Sequence, residues 1–301
     1  MEQARKSHLI LDNFWIKIIA MITMTFDHVG AVMTASGFKE NWFVILITIF
    51  RYIGRLALPL YCFMIAEGMK HTKKPGMYFL RLGVMAVIIS IALYVIVSPL
   101  GMTSLRLQGN IFIDLLLGAL MIYCLTNKRW YIKIIALLPL AFSILSFIVK
   151  GYENGGNGFV YFLPFFLRMQ YDWYSILMIV LFYFAYSLSR IFIEQHAKQV
   201  GLEPDVFVGT NFERNTINVI SLGVIVFMTL IFFGSSFIIP DDFIYWTPDI
   251  QNFAMVAGAF LLLYNGRRGY NAKWFQYGSY LYYPLHILVI YGIAMLINLF
   301  A

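Results

Sequence analysis

The apolar residues of this chain fall in uninterrupted runs of about 20, repeated from near one end to the other, and that length matches a hydrocarbon core about 30 Å thick. A backbone that crosses lipid must satisfy its own hydrogen bonds, so each run is predicted to be a helix. Composition agrees: 61% of the 301 residues are hydrophobic and 12% are charged, against about 25% charged in soluble domains. The expected fold is an all-α, polytopic transmembrane helical bundle of about 9–10 membrane helices. Because the runs continue end to end, residues 1–301 are expected to form one integral membrane domain.

The first run, Phe14 to Met33, is too long for the core of a signal peptide and no small-residue cleavage site follows it. It is therefore expected to stay in the mature protein. Only Cys62 and Cys124 are present, both inside apolar runs, so neither a disulfide framework nor a metal site is expected. The net charge of +7 comes from basic residues in short loops between runs, which sets membrane orientation rather than nucleic-acid binding.

Counting Lys and Arg by loop gives a consistent topology. The segment with Arg5 and Lys6 is placed in the cytoplasm. Helix 1 (about 14–36) leads out to Lys39 and Glu40, and helix 2 (about 42–68) returns to Lys70, His71, Lys73 and Lys74. Helix 3 (about 77–97) leads out to Arg106, and helix 4 (about 110–126) returns to Lys128, Arg129 and Lys133. Helix 5 (about 132–149) leads out to a glycine-rich break, 151–158, followed by Phe159–Leu167. That apolar piece is too short to span and carries Pro164, so it is read as re-entrant or interfacial. Helix 6 (about 173–192) returns to a polar stretch, 194–215, and helix 7 (about 216–239) leads out to Asp241, Asp242 and Asp249. Helix 8 (about 250–265) returns to Arg267, Arg268 and Lys273, and helix 9 (about 274–299) ends outside. No internal repeat is evident.

Ionisable groups inside these runs cost at least about 2.5–3.5 kcal/mol each if left facing lipid, so they are expected to face the bundle interior and are functional candidates. Helix 1 carries Asp27 and His28, adjacent and therefore about 100° apart around the helix, so Asp27 is not expected to orient the imidazole directly. Helix 2 carries Arg51 and Arg55 on one face. Pro59 removes the helical partner of the Arg55 carbonyl, so a kink is expected there. A guanidinium at that depth needs an anion, either Asp27 or a ligand phosphate or carboxylate. Asn110 and Asp114 share one face at the start of helix 4, with Asn110 also suited to cap it. In helix 9, Ser279, Tyr282, Tyr283 and His286 form a polar stripe at helical spacing beside Pro284.

The segment Lys17-Ile-Ile-Ala-Met-Ile-Thr-Met-Thr-Phe-Asp27-His28 resembles the opening of the TraX family. So do Arg51-Tyr-Ile-Gly54-Arg55-Leu-Ala-Leu-Pro59 and Ala66-Glu67-Gly68-Met69-Lys70-His71-Thr72, on to Arg81-Leu82. The ending Tyr277-Gly-Ser-Tyr-Leu-Tyr-Tyr-Pro-Leu-His286 is similar to that family's last helix, and also to the close of acyltransferase family three. The resemblance is specific over roughly residues 14–82. It implies a transmembrane acyltransferase that uses acetyl-CoA, since TraX proteins are linked to acetylation of the N-terminal amine of pilin. The acceptor is then an amine or a hydroxyl, on a pilin-like peptide or a cell-envelope glycan.

Acyl transfer needs a base for the acceptor's proton, donors for the developing oxyanion, and a cradle for the carrier. His28 is assigned as the base, supported by Asp27 through a polar network, with Arg55 neutralising charge near the thioester and His286 as a second acid/base or oxyanion group. The phosphates of coenzyme A are assigned to Arg51 and to Lys70, His71, Lys73, Lys74 and Arg81, which continue the resemblance, with Lys128, Arg129, Arg267 and Arg268 nearby. Asn110, Asp114, Tyr282 and Tyr283 are the candidates for acceptor contact. No metal is expected. The other readings of the same residues are a transporter or flippase for a lipid-linked anion, with Arg51 and Arg55 as its site, and a non-catalytic scaffold. A P-loop, an HExxH motif and a nucleotide-binding glycine fingerprint are all missing, which leaves ATP-driven transport and zinc proteolysis without support.

Overall fold

A computed structural model describes residues 9–35, 40–100, 109–156, 162–243 and 248–300. Arg5, Lys6, Lys39, Arg106 and the end of the glycine-rich break at 157–158 lie outside them. Among the described residues twelve α-helices follow in order: α1 Asn13–Ala35, α2 Asn41–Gly54, α3 Ala57–His71, α4 Pro75–Leu100, α5 Ile111–Thr126 and α6 Trp130–Ile135. Then come α7 Leu137–Asn154, α8 Asp172–Val200, α9 Asn211–Ser235, α10 Pro248–Gln251, α11 Ala257–Leu262 and α12 Lys273–Phe300. No strand occurs among the described residues, so the fold is all-α.

Six helical stretches of the described residues are long and apolar enough to cross a membrane: Asn13–Thr34, Asn41–His71, Pro75–Val95, Trp130–Asn154, Asp172–Val200 and Asn211–Ser235. The apolar stretches Ile111–Thr126 and Asp249–Leu262 are shorter than a span. The chain is thus a multi-pass membrane protein: predicted helices 1, 2, 3, 5, 6 and 7 are spans among the described residues, whereas predicted helices 4 and 8, expected to cross, are shorter than that.

Prolines explain where helices break. Pro59 has no N–H to give the Arg55 carbonyl, and α2 stops at Gly54 as expected. Arg55 and Leu56 then bond back three residues, to the carbonyls of Tyr52 and Ile53 (3.2 and 3.3 Å), before α3 resumes. Pro139 does the same to the Ile135 carbonyl. There α6 ends, Ala136 bonds back to Lys133 at 3.1 Å, and α7 begins. Helix 5, expected to be continuous, is therefore two pieces.

Three further expectations are corrected. The glycine-rich break does not begin at 151, because α7 runs on to Asn154. Gly151 is helical and lies against the Phe243 ring, where a Cβ would come within 2.0 Å of ring carbon, so the glycine answers a packing need there. The polar stretch 194–215 is mostly helix: α8 continues to Val200, a 3₁₀ turn covers Pro204–Phe207, and α9 starts at Asn211. Polarity there reflects helices extending past the apolar zone. Finally, helix 8 is not regular. It is α10, a 3₁₀ segment Asn252–Val256, and α11.

The chain divides into two compact units. Unit 1 comprises the chain up to Tyr61, Ala185–Thr229 and the part from Ile250 onward. Its helices α1 and α2 pack together, as do α1 and α12. Ile16 and Ala20 of α1 are wholly buried. The chain entering α1 is pinned to the end of the broken helix, with Leu11 bonding the Leu263 carbonyl at 2.9 Å and Asn265 bonding the Leu11 carbonyl at 2.8 Å.

Unit 2 comprises Cys62–Phe184 and Leu230–Asp249. Within it α4, α5 and α7 surround the short segment 162–171 that precedes α8. Met169, Tyr174, Ile176 and Ile179 are wholly buried there.

Candidate active site

In unit 1, Asp27 is the hub of a buried ionic group. Its Oδ1 accepts from Arg51 Nη1 at 2.8 Å and from Arg55 Nη2 at 2.5 Å. Arg55 is the fifteenth residue of the 31-residue span Asn41–His71, so this group lies at its middle. Asp27 and Arg55 are each 8% exposed. A charged pair taken out of water at this depth persists only when its geometry and hydrogen bonding are good. Three features provide that. Arg51 also reaches the Asp27 carbonyl (3.4 Å), Arg55 Nε donates to the Arg51 carbonyl (3.3 Å), and Arg55 Nη1 reaches Gln251 Oε1 (3.5 Å). Gly54 makes the approach of α1 and α2 feasible, because a Cβ there would lie 2.2 Å from Asp27 Cβ.

His28, offset by about 100° from Asp27 around α1, bonds a different helix. Its Nδ1 lies 2.7 Å from Nε2 of His286 on α12. The other nitrogen of His286, Nδ1, lies 2.8 Å from the Tyr282 carbonyl one turn earlier. A carbonyl only accepts, so His286 Nδ1 carries a proton. In the neutral ring Nε2 is then the acceptor. His28 must therefore donate through Nδ1, which leaves its Nε2 with a lone pair. Among the described residues nothing hydrogen-bonds that atom. With both rings neutral, the order Tyr282 carbonyl, His286, His28 thus selects one tautomer of two coupled imidazoles and leaves a lone pair on His28 Nε2.

The tyrosines of α12 frame this pair. Tyr282 stacks on His286 with ring centroids 4.9 Å apart and planes 10° apart, and its hydroxyl is hydrogen-bonded to Thr25 of α1. Tyr283 stands edge-on to His28 at 6.2 Å and to His286 at 5.6 Å. The structure therefore brings together Asp27, Arg51 and Arg55 as one group, and His28, His286, Tyr282 and Tyr283 as another, joined through the Asp27–His28 peptide. Thr25, Gly54 and Gln251 are additions the sequence reading missed.

The remaining candidates lie in unit 2. Lys70, His71, Lys73, Lys74 and Arg81 are all exposed, around the α3–α4 connection. Lys70 lies near the Tyr183 ring (5.9 Å), and His71 Nε2 sits 3.6 Å from the buried carboxylate of Glu67.

Asn110 and Asp114, the candidates for acceptor contact, are occupied by the fold itself. Asn110 caps α5 by accepting from the Phe112 N–H at 3.0 Å, and its amide nitrogen donates to the Ala86 carbonyl (2.8 Å) and Ser90 Oγ (3.0 Å). Asp114 accepts from the backbone N–H groups of Gln170 (2.6 Å) and Tyr171 (2.9 Å) and from Ser175 Oγ (2.6 Å). Both are fully buried. Asp114 holds the 162–171 segment through its carboxylate, and Asn110 does so through its backbone N–H, which donates to the Arg168 carbonyl at 2.8 Å; buried non-helical backbone requires such anchors.

Sequence comparison adds two findings. The family described as TraX protein matches residues 13–294. The chain is also similar to a protein described as "Probable fimbrial assembly protein FimC, serogroup H1" of Dichelobacter nodosus, 36% identical over 69 residues. That alignment covers 23% of this chain and 26% of the relative, so it spans about a quarter of each. No solved structure matches.

Proposed function

Because the chain belongs to the TraX family, we propose that it is a membrane-embedded acyltransferase serving pilus assembly, which moves an acetyl group from acetyl-CoA to an amine or hydroxyl of a pilin-like peptide or an envelope glycan. The single observation that carries the chemistry is the chain of contacts from the Tyr282 carbonyl through His286 to His28 Nδ1, from which a basic Nε2 on His28 is inferred. The fimbrial name of the relative supports a pilus-related role.

In this reading His28 Nε2 takes the proton of the acceptor's amine or hydroxyl as the acceptor's electron pair attacks the thioester carbonyl carbon. The carbonyl's π electrons move onto its oxygen. When that pair returns, the carbon–sulfur bond breaks, and the coenzyme A sulfur leaves with the proton held by His28. Positive charge on His28 during the step is shared with His286 through their 2.7 Å contact. General-base catalysis of this kind contributes about 10²–10⁴-fold. Asp27 positions Arg55, whose guanidinium balances the charge that develops on the acyl oxygen.

The basic side chains Lys70, His71, Lys73, Lys74 and Arg81 are a separate proposal, as a phosphate contact for the donor. Since coenzyme A is cytoplasmic, that proposal sets the protein in the cell membrane with its N-terminus in the cytoplasm.

Purified protein in nanodiscs, given acetyl-CoA and a synthetic peptide with a free N-terminus, is expected to yield the acetylated peptide, and His28→Ala is expected to yield none while melting like wild type. An anion carrier is the second reading, favoured by the interruptions of α2–α3 and of α10–α11, since unwound mid-membrane helices often line substrate paths. Flux of a lipid-linked anion in liposomes with no acyl product would select it.

A further inference from the structure

Gln251 is uncharged and lies in the broken segment between Asp241 and Arg267. It is 4% exposed. Arg55 can only donate, so the Gln251 amide must turn its oxygen toward Arg55 Nη1, as it does at 3.5 Å. The amide nitrogen is thereby directed elsewhere, and among the described residues it is a buried donor with no acceptor. A donor buried without a partner is costly, and a ligand oxygen placed beside it would remove that cost.

Its surroundings say which kind. Gln251 is the last residue of α10, where the chain passes into the 3₁₀ segment Asn252–Val256. Arg55 sits at the other interruption, between α2 and α3. Two helix breaks thus meet at the middle of the span Asn41–His71, and irregular backbone at that depth belongs where protein buries it or a cavity is lined. Tyr52, one turn before Arg55, stacks on Phe253 at 4.0 Å and 13°, which fixes the two breaks against each other. The ligand must offer an acceptor oxygen, in a group already rich in positive charge, one residue along α1 from the basic nitrogen of His28.

We infer that Gln251 is a catalytic oxyanion donor: its amide nitrogen binds the acyl carbonyl oxygen of the thioester, beside Arg55, and the bond strengthens as that oxygen takes up the electron pair. This inference rests on the acyltransferase reading and adds a residue and an atom to it. The amide is idle in the empty protein and engaged only with the acyl group, so its removal affects the reaction far more than the fold.

The test uses the full-length protein in nanodiscs with acetyl-CoA and the free-amine peptide. Gln251→Met, which fills the same space without donors, is expected to lower kcat about 10²–10³-fold, to change the KM for acetyl-CoA by less than about threefold, and to melt at or above the wild-type temperature. Acetyl-dithio-CoA, which carries sulfur in place of the carbonyl oxygen, is expected to slow the wild-type enzyme strongly and the variant hardly further. Should the Met variant not fold, Gln251→Glu keeps an acceptor on Arg55 while removing the donor and is expected to show the same insensitivity to sulfur. Wild-type kcat in the variant, or equal sulfur penalties in variant and wild type, would overturn the assignment. A wild-type protein that turns over neither donor would instead overturn the acyltransferase reading beneath it.

Discussion

Both units bury charge in apolar surroundings, but they use it differently. In unit 2, Lys150 is fully buried, pairs with Asp172 at 2.5 Å, and gives its remaining protons to the carbonyls of Met169 (2.9 Å) and Gln170 (3.1 Å). Arg168 pairs with Glu153 and donates to the Leu163 carbonyl. Asp114 and Ser146 bind backbone of the same region. These side chains substitute for the hydrogen bonds that a non-helical segment lacks in lipid. Even the left-handed backbone of Asp172 (φ 55°) is held by its pair with Lys150. In unit 1 the Asp27, Arg51 and Arg55 side chains bind one another, and nearby a ring nitrogen of His28 and the amide nitrogen of Gln251 are left over among the described residues. Buried charge spent on backbone marks architecture. In the proposed function that ring nitrogen is the base and that amide nitrogen the oxyanion donor.

The contrast can be broken by substitutions whose effects should be ordered. His28→Ala is expected to remove acyl transfer, a loss of about 10²–10⁴-fold or more, with the melting temperature unchanged. Loss of folding together with activity would put His28 in the same class as Lys150. Next in size, Lys150→Met leaves Asp172 buried without its cation and is expected to destabilise by about 3–5 kcal/mol, read as a fall in thermal midpoint in detergent. The double variant Lys150→Met, Asp172→Asn should recover part of this. Gly54→Ala forces Asp27 aside and is expected to cost about 1–3 kcal/mol with a partial loss of activity, since Arg55 is displaced along with Asp27. At the small end, Arg190→Ala breaks an exposed one-turn pair with Glu194 and should shift stability by no more than about 0.5 kcal/mol.

Much of unit 1 was legible in the sequence because a charge in an apolar run is conspicuous. Asp27, His28, Arg51, Arg55 and His286 stand out by cost alone, and Pro59 announces the break at Arg55. The partnership of His28 and His286 was not legible, because 258 residues separate them and depth along a helix does not fix rotation about it. Gln251 was missed for a different reason. It carries no charge, and the run 250–265 scans as a regular helix, so neither the break nor the idle amide had a signal in hydropathy. In unit 2, Asn110 and Asp114 were visible but ambiguous. Nothing in their spacing distinguishes a side chain aimed at a ligand from one aimed at the Gln170 and Tyr171 amides. Pro139 was readable and marks its break by the same rule as Pro59, whereas Gly151 is explained only by the ring of Phe243, 92 positions away.

The central claim is a proton position, and nitrogen NMR of histidine-labelled protein in nanodiscs measures it without knowledge of the acceptor. With signals assigned by difference from His28→Ala and His286→Ala, the prediction is a protonated Nδ1 and a bare Nε2 on both rings at neutral pH. A His28 ring protonated at Nε2 instead would contradict the account, because no base would then face the reacting groups.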